Sequence, residues 1–295
     1  MSTTDGFIAI DWGTTNRRIF VVDPDGSVAA RTSDARGVTA IERGGFGKEI
    51  RQIQARFGKR PMLLAGMVGS DRGWIEMPYL PCPCDIDTLG TAMKLTDAGA
   101  VIVPGVSYHA GDRYDVMRGE ETQLLGAIAG GIAPSDGVVC HPGTHAKWAR
   151  IEGGAMTSFR TVMTGELFAL LKAHSILAPQ LDHPVTPAKA FLDGVARGLR
   201  GDELTAELFS IRARGLLGGL PVEDAASFAS GLLIGTDLRT GLSFAGGCEP
   251  ITLIGDPRLT MLYAAALEAE GRRCAQIEGE QAFLSGAHAL IERLQ

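Results

Sequence analysis

Short apolar runs alternate with glycine-bearing polar turns at the start of this chain. Phe7–Ile10 is an aromatic and β-branched run of strand length, and Ile19–Val22 is a second. Between them lies Asp11-Trp12-Gly13-Thr14-Thr15-Asn16, and Pro24-Asp25-Gly26 then turns the chain into a third strand, Val28–Arg31. The pattern returns about 130 residues later. Strands at Gly137–Cys140, Lys147–Ile151 and Met156–Phe159 are joined by His141-Pro142-Gly143-Thr144-His145 and Glu152-Gly153-Gly154. Two such units at a nearly constant offset suggest an internal duplication.

The rest of the chain alternates helix and strand. Phe46–Phe57 and Glu120–Ala129 have helical periodicity, and Gly130-Gly131 ends the second of them. Met62–Ala65 and Ala100–Val103 read as strands. Further on, Thr164–His174, Ala225–Thr236, Leu259–Glu270 and Gln281–Leu294 read as helices, with strands at Ile251–Ile254 and Cys274–Ile277. Thr236–Gly247 reads as loop and helix end. The breaker Pro134-Ser135-Asp136 is the natural domain cut, giving domains over 1–133 and 134–295.

Composition narrows the class. At 295 residues, 45% hydrophobic and 21% charged, the chain suits a globular protein of two domains. A net charge of −6 argues against a broad nucleic-acid footprint, since phosphate neutralisation needs clustered Lys and Arg. Five scattered cysteines suggest no disulfide framework, and no run has the length of a membrane helix. The polar start lacks a signal core, so a cytoplasmic protein without membrane contact is expected.

Three places could carry chemistry. In the first turn, Gly13 lets backbone approach a phosphate, and Thr14, Thr15 and Asn16 add donors; the alternative is an ordinary hairpin turn. Asp11 at the strand end could hold Mg²⁺ through water. The second turn offers Gly143 and Thr144 with Lys147 as a nearby cation, or a merely solvated lysine. His141 and His145 are four apart, but Pro142-Gly143 opposes the helix that metal binding would need. Glu120 and Glu121 open a helix. They either serve its dipole or present a carboxylate that takes a proton from a substrate hydroxyl.

Taken together, these stretches resemble the actin/hexokinase/sugar-kinase superfamily. Ile8–Asn16 resembles its first phosphate motif, Pro142-Gly143-Thr144 its second, Glu121–Gly130 and Ala282–Ala287 its connecting helices, and Ile251–Asp256, with Gly255, its adenosine motif. Many members begin the second turn with Asp, whereas Cys140-His141 stand there in this chain. Within the superfamily the chain resembles the 2-keto-3-deoxygalactonate kinases. The resemblance is carried by Gly66–Ser70 with Gly73-Trp74, Asp115–Gln123, Pro142–His145 with Lys147-Trp148, Met163–Phe168 and Ser230–Gly235.

That resemblance implies a two-domain actin-like (ribonuclease H-like) α/β fold, each domain a mixed five-stranded sheet with helices, hinged about a nucleotide cleft. It implies transfer of phosphate from ATP-Mg²⁺ to 2-keto-3-deoxygalactonate in galactonate catabolism. Glu121, which precedes Thr122, is the preferred base and Glu120 the next. Ser70, Arg113 and Arg118 are candidates for the sugar-acid carboxylate. A kinase of another sugar acid, an actin-like structural ATPase and a sugar-sensing repressor are the rivals. Self-association into a homodimer stays open.

Overall fold

The computed structural model describes residues 6–294. In chain order the elements are β1 (Phe7–Trp12), β2 (Arg17–Val22), β3 (Val28–Asp34), α1 (Phe46–Phe57), β4 (Met62–Gly66), β5 (Tyr79–Pro81), α2 (Ile86–Thr91), β6 (Lys94–Leu95), β7 (Ala100–Ile102), β8 (Gly105–Ala110), β9 (Arg113–Met117) and α3 (Glu120–Ala129). There follow β10 (Gly137–His141), β11 (Ala146–Glu152), β12 (Ala155–Val162), α4 (Thr164–His174), α5 (Lys189–Arg200), α6 (Leu204–Leu216), α7 (Val222–Ala245), β13 (Ile251–Gly255), α8 (Pro257–Ala269), β14 (Cys274–Glu278) and α9 (Gly279–Glu292). Two compact units result. One extends to Asp136 and takes in Ile151–Ser158 and the chain from Glu280 onward; the other holds Gly137–Arg150 and Phe159–Gly279.

The first unit is built on a sheet of order β3-β2-β1-β4-β7-β6, with β1 antiparallel to β2 and parallel to β4. Its central strands are continuously apolar because helices cover both faces. Ile8, Ile10 and Trp12 pack with Ile50 and Ile53 of α1, while Phe20 meets Phe283 of α9 at 5.7 Å between ring centroids. Helices α3 and α9 cross at Gly126 and Gly286. A Cβ on Gly126 would fall 2.3 Å from the Cα of Gly286, and Ser285 Oγ donates to the Gly126 carbonyl at 2.8 Å. A separate sheet, β5-β8-β9, leads into α3.

The second unit's sheet has the order β12-β11-β10-β13-β14, with β13 parallel to both β10 and β14. This is the β3-β2-β1-β4-β7 order again, so the repeated plan seen in the sequence is a repeated topology. Gly194 and Gly198 of α5 lie against Gly231 and Gly235 of α7, where a Cβ on any of the four would meet backbone carbonyls at 2.0–2.3 Å.

Three details differ from the sequence reading. The first sheet has six strands rather than five, because the two-residue β6 joins its edge. The stretch Thr236–Gly247 is not loop, since α7 runs unbroken to Ala245. Its residues are buried on several sides, so no single apolar stripe marks its length. The β5-β8-β9 sheet was not anticipated: its strands are short and β9 is largely exposed, so no strict alternation marks them. Among the described residues no helix is long and apolar enough to cross a membrane.

Candidate active site

The first turn is pinned from below. Its carbonyls are all spent inside the protein: Gly13 O accepts from Val38 N at 3.0 Å, Thr14 O from Thr39 N at 3.2 Å, Thr15 O from Gly37 N at 3.0 Å and Asn16 O from Gly13 N at 2.9 Å. The amides of Thr14, Thr15 and Asn16 have no acceptor among the described residues, and all three residues are exposed. Carbonyls turned in and amides turned out make an anion-binding concavity. Gly37 makes the arrangement feasible, since a Cβ there would sit 2.3 Å from the Thr14 carbonyl oxygen. Trp12 Nε1 fixes the same segment by donating to Arg36 O at 2.8 Å. Asp11, at the end of β1, forms an ion pair with Arg18 across the β1–β2 ladder.

The second turn has the same support. Thr144 O accepts from Glu166 N at 2.9 Å, and Gly165 lies so close beneath that a Cβ on it would be 2.5 Å from Gly143 O. Gly143 itself faces open space, with His141 Nδ1, 3.9 Å from a would-be Cβ, as its nearest neighbour. His145 Nε2 and Glu166 Oε2 are 2.6 Å apart. Lys147 is 3% exposed and donates to His145 O at 3.1 Å, so its ammonium is held against the turn it follows.

Below the turn lies Asp237 of α7, fully enclosed, accepting from Trp148 Nε1 at 2.7 Å, Thr164 Oγ1 at 2.6 Å and the Tyr263 hydroxyl. Burial pushes its carboxyl up from the ordinary range. One carboxylate thus ties α7 to β11, α4 and α8. A cavity of about 60 Å³ opens beside Gly143, lined mainly by apolar atoms of Phe168, Leu233, Leu259 and Tyr263. Gly255 follows the same edge, its would-be Cβ 3.3 Å from Pro142 O, and Asp256 caps α8 by accepting from Arg258 N at 2.9 Å.

The carboxylates of α3 occupy different surroundings. Glu121 is fully buried, with Oε2 accepting from Gly119 N at 2.6 Å and Oε1 from Thr122 Oγ1 at 3.1 Å. Burial, reinforced by the neighbouring Glu120 charge, raises its pKa to about 7. Glu120 is only half-buried, and its Oε2 accepts from Arg118 N at 3.2 Å. Gly119 adopts φ 110°, a left-handed conformation that glycine tolerates, and this turns β9 sharply into α3.

The candidates for the acid carboxylate separate clearly. Ser70 spends its hydroxyl proton on Met67 O at 2.7 Å and accepts from Arg72 N at 3.3 Å, which shapes its own loop. Arg113 is exposed at the β8–β9 turn. Arg118 lies 4.2 Å over the Tyr79 ring and donates from Nη2 to Met77 O at 2.8 Å. Its Nε and Nη1 are buried with no acceptor among the described residues. A buried donor left in that state costs about 1–3 kcal/mol.

Sequence reasoning singled out both turns, the carboxylate pair and Arg118 as candidates. It missed Gly37, Gly165 and Asp237. The first two lie outside the turns they support, and nothing local distinguishes them; Asp237 had a signal, a lone acid in the apolar stretch Leu232–Leu238.

Comparison with known proteins places the chain in a family. The family model described as 2-keto-3-deoxy-galactonokinase matches residues 11–290. The 2-dehydro-3-deoxygalactonokinase of Escherichia coli K12 is 38% identical over 289 residues, covering 97% of this chain and 98% of that one. A crystal structure from Sinorhizobium meliloti, described as a candidate 2-dehydro-3-deoxygalactonokinase, has TM-score 0.92 and 32% identity over 98% of this chain and 99% of that one. A carbohydrate kinase from Novosphingobium aromaticivorans, 13% identical with TM-score 0.51 over 98% and 91% of the two chains, shares the fold. The fold is therefore the actin-like kinase α/β fold, and the chain belongs to the 2-keto-3-deoxy-galactonokinase family.

Proposed function

We propose that this protein transfers the γ-phosphate of ATP to the terminal hydroxyl of 2-keto-3-deoxygalactonate, giving the 6-phosphate. The observation that carries the reading is the 38% identity to the Escherichia coli kinase over almost the whole of both chains. The unspent amides of Thr14, Thr15 and Asn16 in the first unit fit phosphate oxygens, and in the second unit the open face of Gly143 leaves room for a phosphate. The apolar lining of the cavity beside Gly143 suits contact with one face of a nucleobase.

ATP supplies the phosphoryl group, and Mg²⁺ neutralises charge on its oxygens. Among the described residues no group of three or more acidic, His or Cys side chains could hold a metal. Mg²⁺ keeps most of its waters and needs only one or two carboxylates besides phosphate. Asp11 is the carboxylate assigned to it, through water.

The Glu120–Glu121 pair takes the hydroxyl proton. Glu120 is the member a substrate can reach, and enclosed Glu121 stands behind it as a carboxylate held near neutrality. The sequence preference for Glu121 as the contacting base therefore passes to Glu120, because a base has to come within hydrogen-bond reach of the proton it removes. The free thiols of Cys82, Cys84, Cys140, Cys248 and Cys274 suit a reducing cytoplasm.

An ADP-release assay over a panel of sugar acids and neutral sugars tests the reading. The keto-deoxy acid is expected to be the best acceptor. Good turnover of glucose or glycerol with none of the keto acid would overturn it.

A further inference from the structure

Resting on this kinase reading, we propose that Arg118 receives the carboxylate of the acceptor and makes the enzyme select sugar acids over neutral sugars. The other arginines of this unit that are not exposed have protein counter-ions: Arg17 with Asp34 and Glu49, and Arg60 with Asp23. Arg118 has none among the described residues. Its guanidinium has a ring beneath it and one carbonyl, yet Nε and Nη1 are shielded from water with nothing to bond. A cation desolvated in this way lowers stability unless something pairs with it, and folds keep such unfavourable arrangements mainly at functional sites.

Its place in the chain gives the function. Arg118 stands immediately before Gly119 and the helix that opens with Glu120 and Glu121, and its own amide holds the Glu120 carboxylate. The cation and the proton acceptor are thus set by one short backbone segment. A sugar acid has a carboxylate at one end and the reacting hydroxyl at the other, so it needs one of each. The Arg118 side chain is part-buried. Rotation of its plane over the Tyr79 ring keeps the stack and presents the unspent N–H groups to an incoming carboxylate, for which guanidinium geometry is suited.

Three proteins are compared: wild type, Arg118→Met and Arg118→Lys. Each is assayed with 2-keto-3-deoxygalactonate and with its neutral methyl ester, and each is titrated calorimetrically with the keto acid alone. In Arg118→Met, KM and Kd for the acid should rise by about 10- to 100-fold, the range for hydrogen bonds to a charged group. Its KM values for the ester and for ATP should stay near wild type, so the preference for acid over ester disappears. Arg118→Lys should recover part of it. The melting temperature of Arg118→Met should stay close to that of wild type, since the bond lost at Met77 O is offset by removing two buried N–H groups that have no acceptor among the described residues.

Retained acid preference in Arg118→Met overturns the inference. So does a lowered melting temperature with equal loss on acid and ester, which would make Arg118 a structural residue. The titration separates the two levels of the argument. Arg118-dependent acid binding without wild-type turnover would count against the kinase reading, whereas normal turnover with Arg118-independent binding would count against this inference.

Discussion

At the scale of single residues, the two carboxylates that open α3 differ in exposure, and the proposed base is the one a substrate can reach. Substituting Glu120→Gln keeps shape and removes basicity, so kcat should fall by about 10²–10⁴-fold while KM for ATP changes little. Steady-state kinetics of Glu120→Gln beside Glu121→Gln decides the assignment, and a kcat loss confined to Glu121→Gln would reverse it. Glu121 also has a signature in stability. Its pKa is raised from 4.5 to about 7 in the folded protein, chiefly by burial. Between those values the folded state keeps a proton that the unfolded chain has released, so stability should fall as pH rises through that window and level off above it. Glu121→Gln cannot release a proton there, and denaturant titrations across the same window should show its slope flattened relative to wild type.

At the scale of elements, each of the two turns proposed to hold phosphate is a strand end, a glycine loop and a second glycine brought in beneath. The loops were legible because they are polar and glycine-bearing between apolar runs, and their nearly constant offset exposed the repeat. The supports were not legible. Gly37 is over twenty residues from Gly13, and Gly165 over twenty from Gly143, so only tertiary packing makes either essential. The continuous α7 and the β5-β8-β9 sheet were missed for a related reason, since one is buried on several sides and the other mostly exposed. Two alanine substitutions separate loop from support. Gly143→Ala meets only His141 Nδ1 at 3.9 Å, so the fold should persist while the new methyl obstructs a phosphate. A tenfold or larger rise in Kd for ATP corresponds to about 1.5–3 kcal/mol for a charged hydrogen bond lost. Gly165→Ala would place a carbon 2.5 Å from Gly143 O, and should lower the melting temperature as well. Calorimetric Kd values and thermal melts of both variants check the contrast.

At the scale of the whole molecule, one sheet topology is used twice, and each copy has its glycine turn directly after its first strand: Gly13 after β1 and Gly143 after β10. The chain is mildly acidic, with a net charge of −6, so attraction of a polyanionic nucleotide cannot come from overall charge. It has to come from local backbone donors and from the cation that accompanies ATP. Linkage makes this measurable without turnover. A ligand that binds only the folded state stabilises it by about 2.7 kcal/mol when present at a hundredfold excess over its Kd. For chains of 150–250 residues each kcal/mol moves the melting temperature by about 2–4 °C, so for this longer chain ATP with Mg²⁺ should raise it by about 5 °C. Excess EDTA should remove most of the rise, because free ATP brings four negative charges to a protein of the same sign. Gly143→Ala should shrink the rise at fixed ATP while leaving the ligand-free melting temperature unchanged, which distinguishes lost nucleotide contact from a weakened fold. An ATP-induced rise that is indifferent to both EDTA and Gly143→Ala would mean that neither the cation nor the second turn takes part in holding the nucleotide.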